Sequence, residues 1–277
     1  MTLGILHPGK MGSSVGHAAG QKANVIWASE GRSDDTQARA ASDSLTDVQT
    51  LDALVTQSDI IMSVCPPHAA ANVAKGVANR GFKGIYVDAN AVAPQTASEV
   101  AKIVRASGAS FVDGGIIGPP ARQEGITRLY LSGQHAQDVK KLFEGTLLDT
   151  FIIGEALEAS ALKMAYAAWT KGSSALLLSV AALAKELAVE DALRQEWTLS
   201  QPQLEDRLEQ VASRTPPKAW RFKGEMLEIA KTYQAAGLPN GFHSAASSLY
   251  ERLEDFKERD LFDVQDVINA LLVENNT

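Results

Sequence analysis

The chain has one cysteine, Cys65, in 277 residues. No disulfide can form within it, and a reduced, cytoplasmic setting is the expectation. His7, His17, His68, His135 and His243 show no paired zinc-ligand spacing, so no metal site is expected. No basic face stands out. Residues 1–154 carry 13 Lys and Arg against 14 Asp and Glu, and residues 155–277 carry 13 against 19. This balance argues against nucleic acid as a partner. The N-terminus lacks a positive segment ahead of an apolar core, so no signal peptide is expected. The most apolar helical stretch, 172–184, is 13 residues between Lys171 and Lys185. A membrane span needs about 20, so no membrane association is expected. With 45% hydrophobic and 21% charged residues, the chain falls outside the disordered, collagen-like and disulfide-dense classes.

Glycine is scarce in one half only. Of 21 glycines, 17 lie in 1–154; Gly172, Gly224, Gly237 and Gly241 are the rest. Glycine marks turns and weakens helices, so a turn-rich first half and a helical second half are expected. The length suits two domains. In the first half, short apolar runs at 2–7, 24–28, 59–64, 84–87, 110–112, 128–132 and 150–153 alternate with helical patterns at 13–22, 51–57, 69–79 and 94–107. Such alternation predicts βαβ units and a mainly parallel sheet, with ligands at the carboxyl ends of its strands. Asp113-Gly114-Gly115 reads as the turn that ends the fifth run. From 155 the pattern turns helical: one long helix over 155–193, or two with a break near Gly172, then 204–212, 219–236, 242–259 and 264–273. The boundary is expected near Gly154.

After the first run stands His7-Pro8-Gly9-Lys10-Met11-Gly12. In a G-x-G-x-x-G dinucleotide turn, the second glycine lets the backbone approach a pyrophosphate and the third lets the helix pack on the sheet. Gly9 and Gly12 fill those places, and His7 fills that of the first glycine. The helix N-terminus supplies amide donors. The second run leads into Ser29-Glu30-Gly31-Arg32-Ser33. An acid here favours NAD, and an arginine accommodates the 2′-phosphate of NADP. Ser29, Arg32 and Ser33 together suit a dianion, so NADP is expected and NAD is the alternative.

These residues resemble the β-hydroxyacid dehydrogenase family, which includes phosphogluconate dehydrogenase. Gly9-Lys10-Met11-Gly12 is similar to the end of its glycine turn. Val64, Cys65 and Pro66 resemble the segment lining the adenosine side. Asp88-Ala89-Asn90 resembles the segment approaching the nicotinamide. Asp113–Gly118 stands where the family has its substrate run. Ser160-Ala161-Leu162-Lys163 resembles the start of the interdomain helix with the catalytic lysine. The resemblance implies a Rossmann α/β domain with a parallel sheet over 1–154 and an all-α substrate and dimerisation domain over 155–277. It departs at three places. His7 replaces a glycine, Ile117 and Pro119 stand for the serine and second glycine of the substrate run, and Ala167 stands for an asparagine.

Oxidising a hydroxy acid needs a base for the hydroxyl proton, and lysine in a partly desolvated site can be one. Lys163 lies in a small, apolar helix segment, and Ser160, Tyr166 and Thr170 fall near its face. Snorkelling to solvent is the bland alternative. Asn90 orients nicotinamide or substrate, or caps its turn. Ile117, Gly118, Tyr166, Thr170 and Arg221 are the substrate-side candidates; Arg221 is equally a surface residue packed on Trp220. Lys171 reads as solvated at a helix break, Cys65 as cofactor-lining and not nucleophilic, and the acidic face over 251–260 as solvated. The expected function is NADP-linked oxidoreduction of a small hydroxy acid or its carbonyl counterpart, in a cleft between the domains of a homodimer. An imine reductase and a non-catalytic NADP-binding sensor are the alternatives.

Overall fold

A computed structural model describes residues 1–259 and 261–272. The chain divides into two compact units, Met1–Met164 and Ala165–Thr277. In the first, the elements run β1 (Thr2–Leu6), α1 (Lys10–Ala19), β2 (Asn24–Trp27), α2 (Asp34–Ser42), β3 (Thr46–Asp47), α3 (Leu51–Gln57), β4 (Ile60–Ser63), α4 (Ala70–Ala78), β5 (Ile85–Asp88), α5 (Pro94–Ala106), β6 (Ser110–Ile117), β7 (Arg128–Ser132), α6 (Ala136–Lys140) and β8 (Asp149–Gly154). The sheet order is β3-β2-β1-β4-β5-β6-β7-β8. The strands from β3 to β6 are parallel, β7 is antiparallel to β6, and β8 is parallel to β7.

Alternation along each strand splits the core between the two faces. Ile60, Met62, Val87 and Val112 join Val15, Ala18 and Ala40 on the α1–α2 face. Ile61, Tyr86 and Phe111 join Leu54, Ala74 and Val100 on the α3–α4–α5 face. The register lays Leu6, Ser63, Asp88, Asp113 and Ser132 in one row across five strands. For β1, β4 and β5 that row is the carboxyl end.

One expected turn is strand. β6 continues through Asp113-Gly114-Gly115 to Ile117. These glycines serve close approach, not a reversal. A Cβ on Gly114 would stand 3.1 Å from the Asp88 carbonyl oxygen, and one on Gly115 would stand 2.6 Å from that of Ala159.

The helix α7 (Glu158–Glu186) is continuous for 29 residues, and the two units divide within it. The expected break at Gly172 is absent. Gly172 is buried, and a Cβ there would lie 3.0 Å from the Phe242 ring, so this glycine admits a neighbouring side chain. By length and composition α7 could cross a membrane, which the 13-residue reading did not foresee; half of its apolar window is buried. After it come α8 (Glu190–Ser200), α9 (Leu204–Arg214), α10 (Ala219–Ala235), α11 (Gly241–Glu251) and α12 (Val264–Leu272). The expected helix over 242–259 ends at Glu251, and a 3-10 turn, Glu254–Glu258, follows. Asp260 and Val273, the last residues of two expected segments, lie outside the described residues.

Candidate active site

β1 ends at Leu6, and the chain reverses at once into α1. His7 takes φ 62°, the left-handed conformation that glycine adopts without cost. The histidine therefore occupies the first glycine's place in conformation as well as in sequence. Burial, helped by the nearby Arg32 charge, lowers its pKa to about 4, so the ring is neutral at physiological pH. Gly9 caps α1 in an extended conformation, with no neighbour nearer than 4.0 Å to a Cβ placed there. At Gly12 a Cβ would stand 2.9 Å from the His7 carbonyl oxygen and 3.4 Å from Val64 Cβ. Gly9 leaves its backbone approachable, Gly12 lets the helix close on the strand, and the first-turn amides have no acceptor within the helix. This turn fits a dinucleotide pyrophosphate. Lys10 is exposed at its rim, and Met11 packs against the core.

Ser29, Arg32 and Ser33 follow β2. The Ser29 amide donates to Asp47 Oδ1 at 3.1 Å, and the Arg32 amide donates to the Ser29 carbonyl at 2.9 Å. Gly31 turns the loop at φ 68°. The Arg32 guanidinium is exposed, and Ser33 stands at the N-cap position of α2, its Oγ 3.1 Å from Thr36 Oγ1 and making no cap bond to the backbone.

Asn90 ties two strand ends together. Its Oδ1 accepts from the Cys65 amide at 2.6 Å, its Nδ2 donates to Ser63 Oγ at 3.2 Å, and its own amide donates to Asp88 Oδ1 at 3.1 Å. These bonds hold the β4 and β5 termini in register; Asn90 is 2% exposed. Burial pushes the Cys65 thiol up to about 12, so it is no nucleophile. Val64 packs on α1, and Pro66 leads into a 3-10 turn, Pro67–Ala69.

Lys163 lies in the second turn of α7, and its Nζ donates to the Ile116 carbonyl at 2.7 Å. A clamp that the sequence reading missed sets this position. The buried Asp113 carboxylate accepts from Ser132 Oγ at 3.0 Å, from the Ser160 amide at 2.8 Å and from Ser160 Oγ, while Ser132 Oγ accepts from the Ala159 amide at 3.0 Å. A carboxylate at a helix N-terminus satisfies its open amides. Burial raises the Asp113 pKa despite these bonds. Asp113 and Ser160, read as substrate-run and face residues, bind the protein itself. Serines at 132 and 160 carry no sequence pattern that would have paired them with Asp113.

The substrate-side candidates scatter. Ile117 is buried and pairs with Arg128 across β6–β7. Gly118 has φ 125°, and a Cβ there would meet the Ile126 carbonyl oxygen at 2.2 Å, so its glycine is a backbone requirement. Tyr166, Thr170 and Arg221 belong to the second unit. Tyr166 is exposed, and Thr170 Oγ1 donates back to the Tyr166 carbonyl at 3.2 Å. Arg221 is exposed over the Phe222 ring; Lys257, not Arg221, covers Trp220. Lys171 is not solvated. It is ion-paired with Glu225 and lies 4.7 Å from the Phe222 ring centroid. Among the described residues no cluster of His, Cys, Asp or Glu could hold a metal.

Comparisons with known proteins give the family and the fold. Residues 2–145 match the NAD binding domain of 6-phosphogluconate dehydrogenase, and residues 184–253 match a domain of unknown function, DUF1932. An uncharacterized 28.5 kDa protein of Methanothermus fervidus is 32% identical over 194 residues, covering 70% of this chain and 74% of that one. A solved conserved protein of unknown function, described as structurally similar to 3-hydroxyacid dehydrogenases, is 25% identical with a TM-score of 0.67, over 93% of this chain and 98% of that one. The 3-hydroxyisobutyrate dehydrogenase of Mycobacterium tuberculosis, solved with L-serine, shares the fold at 14% identity and a TM-score of 0.69, over 98% and 99% of the two chains. The chain belongs to the 6-phosphogluconate dehydrogenase type of NAD-binding proteins and carries the NAD(P)-binding oxidoreductase fold of the 3-hydroxyacid dehydrogenases.

Proposed function

We propose that this protein is an NADP-dependent oxidoreductase of a small hydroxy acid or the matching carbonyl compound, with Lys163 as the proton-transfer group. The observation that carries the reading is Lys163 Nζ on the Ile116 carbonyl, at the end of β6, on a helix start clamped by Asp113. When bound, a nicotinamide supplies or accepts hydride at the substrate carbon. In the oxidative direction the neutral Lys163 amine would take the hydroxyl proton and become ammonium; in the reductive direction the ammonium would give a proton to the carbonyl oxygen and become the amine. The turn from His7 to Gly12, with Val64, Cys65 and Pro66, holds the dinucleotide. Arg32, with Ser29 and Ser33, takes the 2′-phosphate. Asn90 acts by positioning the strand ends beneath the cofactor.

The working form is a cytoplasmic homodimer. Tyr166, Trp169, Leu176 and Leu183 of α7, with Leu187 beyond it, are exposed at heptad-like spacing. Arg207 lies over the Trp169 ring. A second copy would bury this stripe. Sedimentation tests it: Leu176→Glu should shift a dimer toward monomer, and a monomeric wild type would overturn it.

The function is tested by NADPH oxidation with panels of small carbonyl acids and imines, and by NADP reduction with hydroxy acids, L-serine included. Turnover of the carbonyl or hydroxy acid set is expected. Turnover of imines alone would make it an imine reductase. NADP binding without turnover of any panel would make it a binding protein and overturn the reading.

A further inference from the structure

A second polar site lies on the α1–α2 face of the first unit. Lys10, Arg39, Arg122 and Gln123, with Pro119 and Pro120, line a cavity of about 520 Å³. Lys10 is shared with the rim of the His7–Gly12 turn; none of the others comes from that turn, from α7 or from the loop that carries Arg32.

Its charges do not cancel. The Arg122 guanidinium donates to both oxygens of the buried Asp43 carboxylate, at 2.6 and 2.8 Å, and Ser13 Oγ donates there too. Against the upward push of burial, these bonds keep the Asp43 pKa below the usual carboxylate range, so Arg122 and Asp43 neutralise each other. Lys10 and Arg39 have no ion-pair partner among the described residues. Arg39 is half-buried and donates one N–H to the Pro8 carbonyl at 3.3 Å. A half-buried guanidinium whose charge is left uncompensated favours an anion.

The walls are built in place. The Ala121 amide donates to Ser14 Oγ at 3.0 Å, fastening the loop to α1, and Thr127 Oγ1 donates to the Pro119 carbonyl at 2.7 Å. The space exceeds a bare phosphate, and the two proline rings offer a rigid apolar wall to an attached organic part.

We propose that this cavity binds the phosphoryl group of a small molecule, held by Lys10, Arg39 and Gln123. Two uncompensated cations match a dianion, and the guanidinium and amide supply directed donors. The group belongs to a phosphorylated small molecule other than the cofactor. The proposal does not rest on the role of Lys163, since its test reads no turnover.

The probe is inorganic pyrophosphate, titrated calorimetrically into the whole protein. Saturable binding is expected. Losing one charge-assisted hydrogen bond should weaken it about 10- to 100-fold in Arg39→Gln. Lys10→Gln, at an exposed side chain, should also weaken it and carries the test should Arg39→Gln fail to fold. Lys22→Gln, an exposed cation outside the cavity, should leave it unchanged. Pyrophosphate should bind equally in the presence of saturating NADP; complete competition by NADP would place it at the His7–Gly12 turn and overturn the proposal. Absence of saturable binding, or equal binding by Lys10→Gln and the wild type, would overturn the proposal.

Discussion

Two lysines of one helix have opposite environments. Lys163 donates to a backbone carbonyl, that of Ile116, at 2.7 Å. Lys171, two turns further along α7, is ion-paired with the Glu225 carboxylate, and both of those side chains are nearly buried. A nearly buried ion pair is costly to break, and Lys171 is held in one; Lys163 is held at the end of β6, beside the candidate site. Under the proposed function, the same residue type on the same helix serves chemistry in one place and stability in the other.

The comparison breaks most visibly if the lysines are exchanged in role. Lys163→Ala should lower turnover by about 10²- to 10⁴-fold with NADP affinity kept, measured by steady-state kinetics and cofactor titration. Lys171→Ala should instead cost about 3–5 kcal/mol of stability in denaturant unfolding, because it breaks a nearly buried ion pair by removing one member. A large activity loss at Lys171 without a stability loss would reverse the assignment. Next comes the support beneath Lys163. Gly115→Ala places a methyl group 2.6 Å from the Ala159 carbonyl oxygen, against backbone that carries the lysine. It should cost about 1–3 kcal/mol in the same unfolding assay and lower kcat with it.

Smaller effects sharpen the cofactor side. Arg32→Ala should weaken NADP about tenfold and NAD hardly at all, since one exposed guanidinium contact is lost. Equal losses would refute the NADP assignment. A pH-dependent effect concerns His7, whose folded pKa is lowered to about 4 from 6.5. Between those values the unfolded chain takes up a proton that the folded chain refuses. Its contribution to stability is therefore present above pH 6.5 and lost as pH falls toward 4. His7→Asn, which tolerates the left-handed backbone, should flatten the thermal stability profile across that window. An unchanged slope would contradict a neutral, buried ring.

Most of the sheet was legible because its strands are short apolar runs between glycine and proline turns. The elements overlooked had nothing of that kind to read. α2 is polar and buries only Ala40, and β3 is two exposed residues, Thr46 and Asp47. Glycine itself misled at Gly114 and Gly115, since close approach and turning leave the same residue in a sequence. In the candidate site, Gly9, Gly12, Lys163 and the neighbourhood of Arg32 were readable from spacing and resemblance. The Asp113–Ser132–Ser160 clamp was not, because its partners come from β6, β7 and α7 and meet only in the folded chain. The pairing of Lys171 with Glu225 was hidden for the same reason.

The central claim is that Lys163 transfers a proton, not merely that it supplies a charge. Lys163→Arg separates the two, since guanidinium keeps the charge and approximate reach but does not release its proton. Its single-turnover rate, followed at the nicotinamide absorbance, should fall about as far as that of Lys163→Ala while NADP binding persists. A rate equal to wild type in Lys163→Arg would contradict the account.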